Sequence, residues 1–326
     1  MKIYITGATG FIGSNLTKRL IEEGNTVHAL IRNPAKSKKI NFENVIFKNG
    51  DLLNSDSLYQ GMKGCEEVYH LAAFARPWAK QRDTYYKINV QGTLNVLLAA
   101  IKAGVRKVVI TSTAGVLGPS EKDLVTENSG SNSLPFTGYE KSKIIMEEKV
   151  WQLTKKKIQV VIVLPSRLYG PGELTVSNSV TKLIKLYNKG LWRLIPGDGK
   201  SIGNYVFITD VLDGLILAMK KGRSGERYII GGQNLTYNEF FETLGKVIGK
   251  SRFMIKIPLK IIMFISGIQL YLAELTGKPP VITPVWVKKY CHSWAISSNK
   301  AKNELGYQIT PIHEGINKTM EWLKDE

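Results

Sequence analysis

A short glycine-rich stretch near the N-terminus constrains the fold of this chain more than any other feature. The apolar run KIYIT (2–6) predicts a β-strand, and TGATGFIG (6–13) follows it at once and leads into a helical pattern. Gly7 permits a tight turn, Gly10 lets the backbone approach a pyrophosphate, and Gly13 allows the helix to pack closely on the strand. A helix N-terminus also offers free N–H groups and a positive dipole end to phosphates. The strand–turn–helix context predicts a dinucleotide-binding unit.

The first half of the chain alternates between β-branched apolar runs and helical patterns. The predicted strands cover residues 2–6, 26–31, 44–49, 66–72, 107–112 and 158–164. Near-continuous apolar strands that alternate with helices indicate a parallel sheet covered on both faces. The predicted fold class is α/β, a doubly wound parallel Rossmann sheet with a smaller mixed α/β C-terminal substrate lobe. The predicted dinucleotide-binding domain comprises residues 1–165 plus about 204–222, and the substrate lobe comprises 166–203 and 223–326.

Composition narrows the class of protein. The 326 residues carry a net charge of +18, but the lysines are spread along the chain without interleaved aromatic residues. We therefore expect a solvated basic surface and no nucleic-acid partner. Cys65 and Cys291 give no disulfide framework, and the four histidines lack metal-ligand spacing, so no metal site is expected. The stretch MKIYITGATG has no charged region ahead of an apolar core, so we expect no signal peptide and a cytoplasmic protein.

The end of the second predicted strand bears on the choice of cofactor. An Asp or Glu there would hydrogen-bond the ribose 2′-OH of NAD, but this strand ends in Leu30-Ile31-Arg32-Asn33. Arg32 can pair with a 2′-phosphate, and Lys36 and Lys39 follow closely, so NADP(H) is favoured over NAD(H). Stacking of Arg32 on the adenine ring is the alternative. In GDL (50–52), Asp51 and Leu52 are placed to meet the adenine, although Asp51 is equally consistent with a solvated turn aspartate.

Two tyrosine–lysine pairs share the spacing of a catalytic dyad. Tyr59 and Lys63 lie in a helix toward the adenine half of the fold, where a structural role is expected. Tyr139 opens a helix after a loop, so Lys143 lies beside it on the same helix face. A fixed ammonium is expected to lower the pKa of the phenol. Thr113 follows the fifth predicted strand, whose C-terminal end borders the ligand crevice, and offers a hydroxyl to a substrate oxygen. These three side chains beside a nicotinamide predict a hydride-transfer site.

Eight motifs occur in an order that is specific for one superfamily. They are TGATGFIGSNL (6–16), GDL (50–52), VYHLAA (68–73), NVQGTLNVLLAA (89–100), TSTAGVLG (111–118), YEKSK (139–143), LPSRLYGPG (164–172) and NYVFITDVLDG (204–214). On these motifs the chain resembles the extended short-chain dehydrogenase/reductase superfamily, the NAD-dependent epimerase/dehydratase family, over essentially its full length. The stretch VHALIRNP (27–34) is most similar to the dihydroflavonol 4-reductase and 3β-hydroxysteroid dehydrogenase-like branch.

The resemblance implies roles for individual residues. Thr113 takes the catalytic hydroxyl position, Tyr139 is the acid/base, and Lys143 binds the nicotinamide ribose. Asn89 falls on a helix asparagine near the cofactor, and Pro165 falls on the segment that passes the nicotinamide. The full predicted cofactor-binding set is Gly7, Thr9, Gly10, Phe11, Ile12, Gly13, Arg32, Lys39, Asp51, Leu52, Ala72, Ala73, Asn89, Tyr139, Lys143 and Pro165.

Departures from the superfamily pattern narrow the function. Nucleotide-sugar dehydratases carry an Asp-Glu pair after the catalytic Thr, but here Ala114 and Gly115 follow it, so this dehydration is not expected. Nucleotide-sugar epimerases usually place an arginine before NYVFITD, where this chain has Ile202-Gly203-Asn204. We therefore expect an NADP(H)-dependent oxidoreductase that interconverts a ketone or aldehyde and an alcohol on a small, lipophilic substrate. A nucleotide-sugar epimerase is the alternative, and a non-catalytic dinucleotide-binding protein is a third reading.

The most apolar stretch of the chain is residues 257–275. Its uncharged core, 261–273, is shorter than the ~20 residues of a membrane span. We expect a buried helix or one that lines an apolar pocket. Peripheral membrane contact through 257–275 is the alternative, because lysines flank the stretch. A homodimer through the helices at 89–104 and 141–154 is also expected from the superfamily.

Overall fold

A computed structural model gives the architecture for residues 1–35, 43–129, 135–154, 157–175 and 178–325. The strands described are, in chain order, β1 (Lys2–Thr6), β2 (Thr26–Ile31), β3 (Val45–Asn49), β4 (Glu67–His70), β5 (Lys107–Thr111), β6 (Gln159–Pro165), β7 (Arg167–Tyr169), β8 (Leu194–Pro196), β9 (Ile202–Phe207), β10 (Arg227–Ile230), β11 (Gln233–Thr236) and β12 (Ile255–Ile257). The α-helices described are α1 (Phe11–Glu22), α2 (Ser55–Met62), α3 (Gly92–Lys102), α4 (Gly138–Thr154), α5 (Ser179–Asn188), α6 (Ile208–Lys221), α7 (Tyr237–Ile248), α8 (Leu259–Thr276), α9 (Pro284–Tyr290), α10 (Asn299–Leu305) and α11 (Ile312–Trp322).

The main sheet of the described residues has the order β10-β6-β5-β4-β1-β2-β3, and every neighbouring pair is parallel. From β1 the chain moves to one side through β2 and β3 and then crosses to β4, so the strand order reverses between β1 and β4. In doubly wound sheets ligands bind at this reversal, outside the carboxyl ends of the strands. The predicted fold class is confirmed.

Alternate residues of the buried strands enter two separate apolar cores. Ile3 and Ile5 of β1 pack with α1 and α6 residues on one face of the sheet. Tyr4, between them, packs with α3 and α4 residues on the other face. Successive strand side chains point to opposite faces, so a sheet covered on both sides needs apolar residues at every position. This is why the strands are continuous apolar runs rather than alternating ones.

Local signals set the ends of several helices. Asn54 caps α2 by accepting a hydrogen bond from the amide of Ser57. Thr236 and Glu239 form a capping box at the start of α7, in which each side chain bonds the other residue's backbone amide. Gly277 ends α8 in the left-handed conformation, at φ 70°.

Two small sheets in the described residues are separate from the main sheet. β11, β9 and β7 form one sheet with an antiparallel and a parallel pair, and β12 pairs with β8 in the other. Within the predicted 204–222 unit, α6 contacts the main sheet as expected, whereas its strand β9 pairs in the small sheet. The edge strand of the main sheet is β10 instead, beyond that unit. The division into two domains stays a prediction.

Helix α8 is mostly exposed, so the prediction of a buried helix for 257–275 is wrong, whereas its alternative, a helix that lines an apolar pocket, stays a prediction. Only Ser266 and Ala273 of its 18 residues are buried. By length and composition alone it is the one helix in the described ranges that is apolar enough to cross a membrane. The sequence could not show this, because a long apolar helix is expected in either a core or a membrane.

Candidate active site

The glycine turn between β1 and α1 has the geometry that its sequence predicts. Gly7 lies at φ 76°, and a side chain there would come within 2.7 Å of the backbone nitrogen of Ala72 at the end of β4. A Cβ at Gly13 would collide with the carbonyl group of Gly7. At Gly10 a Cβ would meet only the Gly7 oxygen, at 3.3 Å, so the backbone at this position is open. The three glycines thus hold the turn tight and leave one face of it accessible.

Helix α1 starts at this open face. Gly10 is its N-cap, and among the described residues no side chain caps it. The first amides of the helix, at Phe11, Ile12 and Gly13, therefore point their N–H groups toward the turn without intrahelical acceptors. The Phe11 side chain itself is buried in the core, and Thr9 is half-buried in the turn. This cradle fits a pyrophosphate group, which helix N-termini bind through N–H groups and the helix dipole.

The predicted adenosine end of the site is formed by residues that follow β2 and β3. Arg32 is exposed directly after β2. Asp51 accepts a hydrogen bond at one carboxylate oxygen from the amide of Leu53, so it stabilises the turn, and its second oxygen accepts none within the described part of the chain. Leu52 is buried against Gly92 of α3. Lys39 lies outside the described residues.

A buried histidine ties the glycine turn to the neighbouring strand. His70 ends β4, and its ring bonds the hydroxyl of Thr6 at 2.7 Å and that of Thr93 at 2.8 Å. The Thr93 hydroxyl donates to the carbonyl of Asn89, so it accepts from the Nε2–H of His70. Thr6 then donates to Nδ1 and accepts from the amide of Ala72. Burial lowers the pKa of His70 to about 3, which keeps the ring neutral. His70 is a positioning residue and not the acid/base.

Asn89 lies in a short π-helical segment that leads directly into α3. Residues Tyr86–Gln91 form a π-helical segment, a feature often found at functional sites. The Asn89 amide accepts from the backbone of Phe74 at 2.7 Å and donates to the hydroxyl of Ser142 at 2.9 Å. Ser142 in turn donates to the carbonyl of Tyr139 at 2.7 Å. Asn89 therefore fixes the start of α4 against the loop that follows β4.

The structure brings Thr113, Tyr139 and Lys143 to the C-terminal end of β5. Lys143 is 1% exposed, and its ammonium donates to the carbonyl of Thr111 at 2.8 Å. The Thr113 oxygen accepts from the amide of Gly115 at 3.2 Å, and among the described residues no acceptor takes its proton. Tyr139 is half-buried, and no hydrogen bond within the described residues occupies its hydroxyl. The described residues thus leave both hydroxyl groups available, one at the end of β5 and one a helical turn before the buried ammonium.

The protonation of these groups differs from the sequence-based expectation. Burial and the neighbouring carboxylate of Glu140 raise the pKa of Tyr139 above its ordinary value. Burial lowers the pKa of Lys143 to about 8, against the effect of the Glu147 carboxylate. The expected lowering of the phenol pKa by Lys143 is therefore wrong for the chain alone, because burial and the Glu140 carboxylate raise it instead. Tyr139 therefore holds its proton at neutral pH.

Two buried ion pairs beside the site were missed from the sequence. Glu140 pairs with Lys289 of α9, and Glu147 pairs with Arg227 while accepting from the hydroxyl of Ser112. Burial raises the pKa of Glu147 and lowers that of Lys289. A capping-box signature, threonine at 137 and glutamate three residues later, could have indicated Glu140. Its lysine, 149 residues away, left no local signal.

Arg167 of β7 points into a cage of three tyrosine rings. Its guanidinium carbon lies 5.0 to 5.8 Å from the ring centroids of Tyr205, Tyr237 and Tyr290. One Nη donates to the hydroxyl of Tyr237 at 3.1 Å. Cation–π attraction stabilises a guanidinium in such a position. Pro165, two residues earlier, is buried as the last residue of β6 and pairs with Ile230.

Comparison with known proteins decides the family. The family model described as the NAD dependent epimerase/dehydratase family matches residues 3–231, more than half of the chain. The chain belongs to this family. It is therefore an NAD-dependent enzyme of the extended short-chain dehydrogenase/reductase superfamily, and the predicted resemblance is confirmed.

Relatives with different names share this fold. A protein of Synechocystis sp. that is described provisionally as a dihydroflavonol 4-reductase is 28% identical over 99% of this chain and 94% of its own. The sterol demethylase protein B of Methylococcus capsulatus is 30% identical over 82% of this chain and 80% of its own. The crystal structure of UDP-glucose 4-epimerase from Thermotoga maritima matches with a TM-score of 0.80 at 25% identity, over 100% of this chain and 99% of that one.

Proposed function

We propose that this protein is an NADP(H)-dependent oxidoreductase that reduces the ketone or aldehyde group of a small lipophilic substrate to an alcohol. The observation that carries the proposal is the placement of Tyr139 one helical turn before Lys143, whose buried ammonium donates to the Thr111 carbonyl at the end of β5, while within the described residues no hydrogen bond occupies the Tyr139 hydroxyl. Reduction of a carbonyl needs a proton donor at its oxygen, and a phenol kept in its acid form suits that step.

The parts of the reaction divide between cofactor and protein. NADPH, when bound, would supply the hydride that the carbonyl carbon receives. Tyr139 gives its proton to the carbonyl oxygen, and the free hydroxyl proton of Thr113 hydrogen-bonds the same oxygen. Lys143, with a pKa of about 8, keeps a positive charge below that pH beside the oxygen that gains electron density. The cradle of Gly10, Phe11 and Ile12 would hold the pyrophosphate.

Preference for NADP(H) is supported by the charge at the end of β2. Arg32 is exposed there, directly after the strand, and residues 31–35 contain no carboxylate that would bond a ribose 2′-OH. A guanidinium is suited to bind a 2′-phosphate through two parallel hydrogen bonds.

A lipophilic substrate is supported by the loop that follows β4. Phe74 and Tyr85 pack edge to face with centroids 5.1 Å apart, and the Tyr85 ring lies against Gly138, next to Tyr139. Aromatic side chains therefore stand beside the reacting phenol. The relatives named for a dihydroflavonol reductase and a sterol demethylase protein are consistent with this substrate class.

The reaction is tested by NADPH oxidation with a panel of ketones, aldehydes and 3-oxosteroids. Tyr139→Phe is expected to lower kcat/KM by about 10²–10⁴-fold. Tyr59→Phe is the matched control, because Tyr59 has the same spacing to a lysine but packs its ring under Lys63 and Lys102. Equal turnover by the Tyr139→Phe variant and wild type would refute the assignment.

Cofactor choice is tested by fluorescence titration with NADPH and NADH. Wild type is expected to bind NADPH at least tenfold more tightly, on the order of one charge-assisted pair. Arg32→Ala is expected to remove this difference in affinity without weakening the binding of NADH. Equal affinities in wild type would overturn the preference and favour the epimerase reading.

A nucleotide-sugar epimerase is the second candidate, because the fold matches a UDP-glucose 4-epimerase closely. An epimerase returns the hydride and consumes no NADPH, so steady-state NADPH oxidation separates the two. Such epimerases usually have an arginine before NYVFITD, which this chain lacks. Arg227 is one cation that could replace it, but Arg227 is paired with Glu147. A non-catalytic role would require Tyr139→Phe to leave the biological activity unchanged. The homodimer through α3 and α4 and the cytoplasmic location stay predictions.

A further inference from the structure

The outer face of α8 is a continuous apolar stripe. Seven large side chains are each at least 46% exposed: Ile261, Phe264, Ile265, Ile268, Tyr271, Leu272 and Leu275. At 100° per residue they fall within an arc of about 120° and extend over about 21 Å of helix. Together they present on the order of 700 Å² if a fully exposed large side chain offers roughly 180 Å². The largest apolar patch of a typical monomer is about 300–600 Å². We call this surface the α8 stripe.

The orientation of α8 is fixed by its small residues. Ser266 and Ala273, seven positions apart, are the buried residues of the helix and lie opposite the α8 stripe. Gln269 accepts hydrogen bonds from the amides of Val281 and Ile282, at 3.1 and 3.3 Å, and so ties the helix to the chain that follows it. The helix therefore packs on the protein through the face that holds Ser266 and Ala273 and turns the seven residues of the α8 stripe outward.

Positive charge brackets the stripe. Lys256 and Lys260 precede it, Lys278 and Lys288 follow it, and all four side chains are exposed. Within the described part of the chain none of these four forms an ion pair. Glu274 is the one acidic residue between positions 250 and 290. The surface thus combines an apolar centre with a basic rim.

We propose that the α8 stripe docks on the surface of an anionic lipid bilayer, with the helix lying in the interface. Apolar side chains would enter the boundary between headgroups and acyl chains, and the four lysines would meet anionic headgroups. A second copy of this chain fits less well, because two copies would bring the same lysines together in proteins that each carry a net charge of +18. A bilayer-spanning helix is disfavoured, because both ends of α8 return to the folded body through β12 and α9.

The α8 stripe is connected to the active site by two routes. At its C-terminal end the side chain of Lys80 reaches Gly277, and Lys80 belongs to the same loop as Tyr85, which contacts Gly138. On its inner side α8 packs on α9, whose Lys289 pairs with Glu140. Both routes end at the residues on either side of Tyr139. A docked protein would therefore hold its active site near the bilayer surface.

This position implies a substrate source. If the protein acts on a lipophilic carbonyl compound, as proposed above, a substrate dissolved in the bilayer would reach the site without crossing water. That consequence rests on the proposed function, whereas docking itself does not. The two are separated by measuring vesicle binding without any substrate.

The docking test is co-sedimentation of the full chain with vesicles of phosphatidylcholine that contain about one-third phosphatidylserine. The test variant is the triple Phe264→Gln, Tyr271→Gln, Leu275→Gln, which changes the three most exposed residues of the stripe. It is expected to lower the partition coefficient by at least about tenfold. Leu98→Gln on α3, also an exposed apolar residue, is the matched control and is expected to bind like wild type.

Charge and activity complete the test. Lys260→Glu with Lys278→Glu is expected to lower binding to the anionic vesicles by about tenfold and to remove most of its salt dependence. Tyr139→Phe is expected to bind vesicles like wild type, so loss of activity and loss of docking are distinguishable. Equal vesicle binding by wild type and the triple variant would overturn the proposal. So would wild type that binds no vesicles but forms a dimer that the triple variant loses.

Discussion

Lys143 gives the sharpest quantitative test, because the same burial that serves catalysis destabilises the charged lysine. Its ammonium is enclosed, with a carbonyl of Thr111 as its hydrogen-bond acceptor. Burial lowers its pKa from 10.5 to about 8, which corresponds to about 3 kcal/mol for holding the charge in the folded protein. Lys143→Met removes that cost and also removes a hydrogen bond worth about 1–2 kcal/mol. The variant is therefore expected to be about 1–2 kcal/mol more stable at pH 7 and catalytically inactive.

The difference in folding stability between wild type and Lys143→Met is expected to depend on pH. The folded pKa is lower than the unfolded one, so between about pH 8 and 10.5 the unfolded chain binds more protons. The stability of wild type rises through this window as Lys143 loses its proton, and the Met variant lacks this rise. The stability advantage of Lys143→Met is thus expected to shrink by about 3 kcal/mol between pH 7 and pH 10.5.

Urea unfolding curves of both proteins at several pH values measure this difference. Lys141→Met is the matched control, because Lys141 is exposed on the same helix. It is expected to change stability by no more than about 0.5 kcal/mol at every pH. A stability difference between Lys143→Met and wild type that stays constant from pH 7 to pH 10 would refute the reasoning.

Three further predictions follow from contacts near the site. Gly13→Ala places a methyl group against the carbonyl of Gly7 and is expected to weaken NADPH binding at least tenfold in a titration, which is about the free energy of one good contact. Gly267→Ala is the control, because a methyl group there meets nothing within 4 Å, and it is expected to leave NADPH binding unchanged. His70→Phe removes one hydrogen bond from each of two threonine hydroxyls, which keep their other partners, and is expected to cost about 1–3 kcal/mol in urea unfolding. Because burial lowers the pKa of His70 to about 3, its pH–rate profile at about pH 5–8 should match wild type, and a lost limb there contradicts the neutral assignment. Glu140→Gln and Lys289→Met are each expected to cost about 3–5 kcal/mol, and the double variant should recover most of that loss; additive losses would argue against the pair.

Much of the site could be predicted because its signals are local in sequence. The glycine turn occupies eight consecutive residues, and Tyr139 and Lys143 are one helical turn apart. The strand alternation fixes the sheet, and the sheet fixes which ends of the strands meet. Backbone conformation and helix spacing follow from neighbours along the chain, so a single sequence is sufficient for them.

Partners that are distant in the sequence could not be predicted. Lys289 reaches Glu140 from 149 residues away, and Arg167 is caged by tyrosines from three other elements. The direction of the pKa shift of Tyr139 was also predicted wrongly, because burial, followed by the Glu140 carboxylate, raises that pKa. Spacing along the chain shows that Lys143 is near but does not show how deeply the phenol is buried.

Helix α8 is the clearest case in which the sequence predicted an element but not its contacts. Composition by itself determined that residues 257–275 form the most apolar segment of the chain, with lysines on either side. Only the tertiary structure decided which side of that helix meets the protein. Ser266 and Ala273 lie on the packed face, and seven large apolar side chains of the opposite face are left outside. Burial of large apolar residues away from water is favourable whatever their place in the fold. Whether the rest of the chain covers the apolar residues of α8 depends on how the other elements pack.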